Sequence, residues 1–491
     1  MTPLLVFGVI AGYFVLLMII SFFTSKGATN VTFFTGNKKS PWFLVAFGMI
    51  GASLSGVTFI SVPGEVGNSA FSYFQLVLGY LLGYFVIANV LMPLYYKLNL
   101  VSIYAYLNKR FGLWSYKTGS LFFLLSQTIG ASFRLFLVAL VLQLGFFDNF
   151  GIPFYVTVFT ILTLIWVYTY RAGIKTIVWT DTLQTLFMLI AVIISIFIIG
   201  KELNLSSSQL IDTISESKFS KIFNWDWQSK HFFFKQFFSG AFIAIVMTGL
   251  DQNMMQKNLT CKNLKDAQKN MYWFSGSLIF VNLLFLGLGV LLYIFAAEKG
   301  IVLPLDAETG MFVHTDELFP NLALSNFSIT AGIIFLLGIT AAAFSSADSA
   351  LTALTTSFCV DFLGFENKPD INKKRIRFLV HIGFSVLLFL VIVLFKFIND
   401  DSVINAVFKV AGYTYGPLLG LYSFGLFTKY KIKDKLVPLV AVLSPVLTFV
   451  ISYFSEVFLW GYKFGFELLI LNGLITFIGL LIIKKNNLKK L

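Results

Sequence analysis

The stretch GMIGASLSGVTFISVPGEVG, Gly48 to Gly67, lies inside an apolar run long enough to cross a bilayer. It nevertheless carries Gly48, Gly51, Gly56 and the pair Pro63-Gly64 among the hydroxyls of Ser53, Ser55, Thr58 and Ser61. In hydrocarbon every backbone group needs a partner, so unwound helix persists only where it lines a cavity or binds an ion. A plain anchor has no use for so many breakers and hydroxyls. Two readings stand for this segment alone: a broken helix at a binding site, or a small-residue face that lets neighbouring helices approach closely.

The rest of the chain places that segment in a membrane. Its 491 residues would make about three soluble domains by length alone, but 57% hydrophobic and 12% charged residues, with a mean hydropathy of +0.84, exclude a cytosolic enzyme, a disordered chain and a secreted disulfide scaffold. Cys261 and Cys359 are too far apart to argue a disulfide framework, and His231, His314 and His381 are scattered rather than clustered for a metal. Met1 to Phe23 has neither a basic leader nor a small-residue cleavage site before Lys26, and reads as a retained span. A helix needs about 20 apolar residues to cross. About thirteen such segments follow one another, near 3–23, 41–66, 71–96, 118–146, 153–170, 176–200, 233–256, 270–296, 327–358, 376–398, 402–427, 437–455 and 464–483. The expected fold is all-α and integral to the membrane.

The net charge of +13 marks topology rather than nucleic acid. Lys and Arg accumulate on the cytoplasmic side, and here they crowd alternate connections. These hold Lys26, Lys38 and Lys39; Lys97, Lys109, Arg110 and Lys117; Arg171 and Lys175; Lys257, Lys262, Lys265 and Lys269; Lys368, Lys373, Lys374, Arg375 and Arg377; Lys429 to Lys435; and the tail from Lys484. The opposite connections are acidic or mixed, with Asp148, Glu298, Asp306, Glu308, Asp316, Glu317, Asp400 and Asp401. That bias predicts an external N-terminus, a cytoplasmic C-terminus and a multi-pass protein of the cell membrane. Within the long connection 201–232, the run from Asn224 to Phe238 reads either as a surface-lying helix or as a plain loop with an aromatic belt.

Four further segments carry polar chemistry. In GITAAAFSSADSALTALTTSFCVDF, Gly338 to Phe362, Ala342, Ser345, Ser346 and Ser349 fall at i, i+3, i+4 and i+7 on one helical face, with Asp348 in the same turn. Hydroxyls and freed carbonyls suit a hard cation such as sodium. A serine stripe also serves as interhelical glue, and the intramembrane Asp348 tilts the balance toward an ion path. Asp181 enters the sixth segment with Gln184 on the same face, either as a functional carboxylate or as an interfacial one paired with Lys175 or capping a helix. The seventh segment brings Gly249, Asp251, Gln252 and Asn253 before a basic loop; the eleventh is interrupted at Gly412, Gly416-Pro417 and Gly420. Interrupted helices in corresponding positions of two halves fit an inverted-repeat transporter.

In sum the motifs GASLSGVTFISVPG (51–64), VWTDTLQ (178–184), GLDQNMMQK (249–257), AAAFSSADS (341–349) and YTYGPLLGLYSFG (413–425) resemble those of the sodium:solute symporter family, in order and over nearly the whole chain. The resemblance implies the inverted five-plus-five helix repeat of the leucine-transporter type, with one leading and two trailing helices. The corresponding segments are 1–40 for the leading helix and its loop, 41–200 for the first repeat, 201–232 for an external connection, 233–427 for the second repeat, and 428–491 for two peripheral helices and a basic tail. It also implies a sodium site at Ala52, Ser55, Ala342, Ser345 and Ser346, and, in members that move two sodium ions, a second cation site at Asp181, Ser345, Asp348 and Ser349. Asp348 stands where the sialic acid type has a serine, so it could strengthen that second site, carry a proton or simply hydrogen-bond.

The solute cavity is expected between the second, third, fourth, seventh and eleventh segments, with candidates Thr58, Gln75, Gln127, Arg134, Asp251, Gln252, Asn253 and Tyr413. Arg134 offers a bidentate match to a carboxylate, or else pairs structurally with a carboxylate on a neighbouring helix. The expected function is sodium-coupled symport of a small organic solute by alternating access. An organic anion such as a sialate or monocarboxylate comes first and a neutral sugar second. Sodium is the coupling ion, the bilayer and a small solute are the partners, and neither nucleic acid nor an obligate protein partner is indicated. A proton-coupled transporter or a non-transporting solute sensor on the same fold are the alternatives. An intramembrane serine hydrolase lacks a base, because no His sits in a segment beside Ser345 or Ser346.

Overall fold

The computed structural model describes residues 3–24, 30–169, 173–365, 372–398, 402–459 and 461–485; Lys26, Arg171, Lys368, Asp400, Asp401, Lys489 and Lys490 lie outside them. All regular structure among these residues is helical apart from isolated bridges. The longer helices are α1 (Pro3–Thr24), α2 (Trp42–Ser53), α3 (Gly56–Ser69), α4 (Tyr73–Val86), α5 (Leu113–Gly145), α6 (Phe154–Thr169), α7 (Gly173–Glu202) and α8 (Phe233–Ala244). They continue with α9 (Gln252–Asn258), α10 (Leu264–Glu298), α11 (Ile329–Ser357), α12 (Lys373–Ile398), α13 (Val403–Thr414), α14 (Gly416–Phe427), α15 (Val437–Tyr453) and α16 (Leu468–Ile482). Eight described helices are long and apolar enough to cross a bilayer. The pair Phe233–Gly249 and Gln252–Asn258, bent by 69°, makes a ninth if taken as one span, and four shorter apolar helices accompany them.

The outer faces of the bundle are apolar. Phe197 on α7, Phe280 on α10, Phe397 on α12 and Phe449 on α15 are all more than half exposed, an arrangement that suits hydrocarbon rather than water. Polar residues turn inward instead. α7 and α11 pack along their length, as do α4 with α8 and α2 with α7, while α5 crosses α11, α12 and α13. The α4–α8 contact rests on glycine: a Cβ on Gly79 would strike the Phe237 carbonyl, and one on Gly240 would strike the Leu76 carbonyl. Backbones therefore meet directly, as membrane helices do when small residues line their contact.

Three helix interruptions lie where breakers cluster. Leu54 and Ser55, with ψ 79° and −175°, separate α2 from α3. Leu250 and Asp251 separate a π-helical turn, Ile245–Gly249, from α9. Tyr415 separates α13 from α14. The Asn224–Phe238 run is not a surface helix through its first half. Asn224, Asp226 and Ser229 capture the amides of Asp226, Gln228 and His231 at 2.9, 3.1 and 3.1 Å, offering local turns in place of helix, and α8 begins only at Phe233.

Candidate cation and solute site

A buried cavity lies where the first two interruptions face each other across the bundle. Its wall includes Ala52, Ser55 and Thr58 at the α2–α3 junction, Gln127 and Arg134 on α5, Asp251 and Asn253 at the α8–α9 junction, and Asn282 on α10 and Tyr415. The cavity measures about 80 Å³. Since one water needs roughly 10–15 Å³ on that measure, it accommodates several waters or a compact organic group.

Of the sequence-derived solute candidates, the cavity gathers Thr58, Gln127, Arg134, Asp251 and Asn253, and it excludes three. Gln75 is fully buried elsewhere, donating to the His231 carbonyl at 3.0 Å and accepting from Asn224 N at 3.2 Å, so it fastens the 201–232 connection to α4. Gln252 turns away from the cavity and grips a passing backbone, accepting from Ile103 N at 3.0 Å and donating to the Val101 carbonyl at 2.9 Å. Tyr413 lies against Phe449, and its carbonyl receives Asn472 Nδ2 at 2.8 Å.

The residue that sequence reasoning missed is Tyr415, which donates to Asp251 Oδ2 at 2.5 Å and so ties the second interruption to the third. Tyr73, Tyr80 and Tyr84 on α4 also line the cavity; their i, i+7, i+11 spacing puts them on one helical face and was the available signal. Arg134 is not committed to a structural ion pair. Asp251 and Tyr415 act on its charge from a distance, but no acceptor among the described residues reaches hydrogen-bonding range of the guanidinium. Gln127 Nε2 and Asn282 Oδ1 are likewise buried without a partner.

α11, which carries Ala342, Ser345 and Ser346 of the first cation candidate, packs on both α2 and α3, the helices on either side of the break at Leu54–Ser55. No amide across that junction returns to the Ala52 carbonyl, although Leu54 N bonds Ile50 O at 2.8 Å and Phe59 N bonds Ser55 O at 3.1 Å. Ser55 makes no capping bond with its side chain. Ser346 Oγ holds only a long bond, 3.3 Å, to the Ala342 carbonyl. A freed carbonyl and uncommitted hydroxyls are the oxygen ligands that a hard cation requires.

The second cation candidate differs from the expectation in one respect. Asp181 is buried but paired with neither Lys175 nor a helix end. Lys257 Nζ lies 2.6 Å from its Oδ2, and both side chains are 2% exposed or less. Ser345 donates to Asp181 Oδ1 at 2.7 Å, Ser349 donates to Oδ2 at 3.5 Å, and Ser349 also reaches Asp348 Oδ1 at 3.2 Å. Lys257, read from sequence as one of the charges of a cytoplasmic connection, is instead an internal cation. The break before α9 turns that short helix inward against α11 and carries the ammonium with it. Arg377, read in the same way, is 8% exposed and stacks over Phe33 at 4.2 Å.

The segment 95–104, which leads into the lysine-rich connection before α5, is tied to the second and third interruptions. Tyr95 and Tyr104 donate to the Gly249 and Leu250 carbonyls at 2.8 and 2.9 Å, and Tyr422 donates to the Ile103 carbonyl at 2.9 Å. Arg110 secures the same region to α14 through the Gly425 and Thr428 carbonyls at 3.1 and 2.6 Å.

Broken helices around a polar cavity define a membrane transporter of the discontinuous-helix class. The sequence profile of the sodium:solute symporter family matches residues 33–433, and the chain belongs to that family. Among known proteins it is 22% identical over 441 residues to the sodium/sialic acid symporter SiaT of Proteus mirabilis (strain HI4320), covering 86% of this chain and 84% of that one. It is 23% identical over 410 residues to the human sodium/iodide cotransporter, covering 80% of this chain and 61% of that protein. The fold is similar to a solved structure of a substrate-bound, outward-open Na+-coupled sialic acid symporter, with a TM-score of 0.80, 21% identity and 97% of both chains covered. It is also similar to the nucleobase-cation-symport-1 transporter MHP1 in a closed conformation, with a TM-score of 0.54, 14% identity, and 90% of this chain and 91% of that one covered.

Proposed function

We propose that the protein imports a small organic anion, a sialate or monocarboxylate before a neutral sugar, driven by sodium entering at Ala52, Ser55, Ala342, Ser345 and Ser346. The observation that carries the choice of an anion is Arg134: a guanidinium facing the cavity with no described acceptor within reach asks for a carboxylate, which its planar donor fork matches. Gln127 Nε2 and Asn282 Oδ1, both unsatisfied and both lining the same cavity, add a donor and an acceptor for the rest of the solute. The sialic acid symporters among its relatives agree with this chemistry.

The architecture proposed with it is a thirteen-span inverted repeat, 41–200 against 233–427, with a leading helix and two trailing ones, an external N-terminus and a cytoplasmic C-terminus. The lysine-rich connections support that orientation, and the segment 95–104 then lies toward the cytoplasmic side. Sodium bound between α2, α3 and α11 favours solute binding through linkage, each raising the affinity for the other. The test is a thermal-shift screen of sialates, short carboxylates, sugars and amino acids on purified protein, in sodium and in choline. A carboxylate that stabilises only in sodium, and also accumulates in proteoliposomes under a sodium gradient, is the expected result. Accumulation that is equal in choline would overturn the coupling.

A second reading, coupling to a proton at the deeper site, draws on one observation. Lys257 already supplies a cation to Asp181, and a further carboxylate, Asp348, sits beside it.

A further inference from the structure

A second group of oxygens lies along α3, above the cavity and toward the acidic connections. Asp316, in the turn Thr315–Glu317, is 9% exposed. Its Oδ2 accepts from Val403 N at 2.8 Å and so caps α13, but its Oδ1 is buried without a partner. The Ser61 hydroxyl, 0% exposed, faces Asp316 and makes no well-formed hydrogen bond to any described residue. The Ser402 hydroxyl is buried and unpartnered as well, and together with Asn405 it faces Glu65. Glu65 and Asp316 act on each other, with Lys230 the one cation acting on Glu65.

These groups are held together by close backbone packing. A Cβ on Gly64 would strike the Thr315 carbonyl, so α3 and the 315–317 turn touch directly, and Tyr293 donates to the Gly64 carbonyl at 2.6 Å. Two buried hydroxyls and one carboxylate oxygen without a well-formed hydrogen bond make a poor network, since a buried polar group is costly to leave unsatisfied. They suit a hard cation, because apart from the Lys230 ammonium and the Val403 and Asn405 amides the facing groups are oxygens. Ser55, Thr58, Ser61 and Glu65 then follow one another on α3 at intervals of three or four residues, a ladder of side-chain oxygens about 15 Å long at 1.5 Å per residue. It ends at the sodium ligands.

We propose that Glu65, Asp316, Ser61, Ser402 and Asn405 form an outer hard-cation site that captures sodium and passes it down α3, through Ser61 and Thr58, to Ser55. The proposal rests on the sodium-coupled reading above. The charged or titratable groups around the cluster are Glu65, Glu317, Tyr293 and Lys230, with His231 on the wall of the adjoining cavity.

The test uses terbium, a hard, oxygen-seeking ion whose emission Tyr293 can sensitise, on the full-length protein in a neutral detergent. Saturable emission, displaced by sodium but not by choline, is expected. Asp316→Asn and Glu65→Gln should each weaken terbium binding at least tenfold, and Ser61→Ala about threefold. Ser61→Ala alters no charge and keeps the test valid should the carboxylate variants fail to fold. Terbium binding that survives Asp316→Asn and Glu65→Gln, or displacement by calcium and not by sodium, overturns the proposal. Because emission reports binding without transport, loss of sodium-coupled uptake in the wild type would count against the coupling reading and leave this assay independent.

Discussion

The two facing helix breaks treat their freed backbone oxygens in opposite ways. At Leu54–Ser55 the Ala52 carbonyl receives no amide from across the junction, and the nearby hydroxyls of Ser55 and Ser346 are barely engaged. At Leu250–Asp251 the corresponding carbonyls are stitched: Tyr95 takes Gly249 and Tyr104 takes Leu250. The second break also delivers its own cation, because α9 carries Lys257 to Asp181 at 2.6 Å. One junction therefore offers oxygens to an ion from solution, and the other is saturated by the chain itself. The proposed sodium site draws on the first kind of junction, because unwound backbone in a membrane must find its partners in the protein or in what lines its cavity.

The sharpest way to break this contrast is Lys257→Met, which removes the internal cation and leaves Asp181 buried. Losing one partner of a buried pair costs about 3–5 kcal/mol. The variant should melt well below wild type in choline and recover in sodium, since Asp181 must then draw its cation from solution. Equal melting in both salts would show that the deeper site takes no ion, and Asp181→Asn combined with Lys257→Met should restore most of the stability without sodium.

Arg134→Ala probes the solute held between the two breaks. Hydrogen bonds to a charged group contribute about 1.5–3 kcal/mol each, so uptake of a carboxylate solute should fall roughly a hundredfold, with Arg134→Lys intermediate. Sodium-induced stabilisation without solute should remain. Unchanged uptake would return Arg134 to a structural role.

Tyr104→Phe and Ser346→Ala test the junctions against each other. The first leaves the Leu250 carbonyl unsatisfied, so about 1–3 kcal/mol of stability is lost with no change in sodium dependence. The second removes one neutral ligand, expected to contribute about 1 kcal/mol; half-maximal sodium should rise about fivefold while melting in choline stays put. If the two variants exchange these behaviours, the assignment of the junctions is reversed.

His231 serves as a control far from both breaks, in the connection that Gln75 clamps. Burial, aided by Lys230, lowers its pKa to about 4. A folded-state pKa below that of the unfolded chain means that the unfolded state binds more protons between pH 6.5 and 4. Stability present above pH 6.5 is therefore lost as pH falls through that window. His231→Gln should flatten the melting curve there and leave sodium dependence at either junction unaltered.

Much of the first junction was legible in the linear chain. Glycines, Pro63 and hydroxyls between 48 and 67 conflict so plainly with an ordinary span that a break is required, and the i, i+3, i+4 spacing of Ala342, Ser345 and Ser346 puts them on one face of α11, a helix that packs on both sides of that break. The second junction was legible only as a break. Asp251 and Gln252 are adjacent and chemically alike, yet one faces the cavity and caps α9 through Met254 N at 3.1 Å while the other grips Val101 and Ile103. Which residue turns which way depends on the 95–104 segment, roughly 150 residues earlier in the chain. Tyr413 and Tyr415 were misjudged for the same reason: across the third interruption a two-residue step moves a side chain from the α15 face to Asp251.

The sequence by itself determined that the protein lives in a membrane, where its helices break and which family's motifs it carries, because hydropathy, breakers and helical spacing are local properties of the chain. Only the tertiary structure decided that Lys257 is an internal cation, that Arg134 stands without an acceptor among the described residues and that Tyr415 holds Asp251. Each depends on which distant group meets a charge in a medium where water cannot. Burial and pairing of that kind are fixed by packing, and no window of neighbouring residues encodes them.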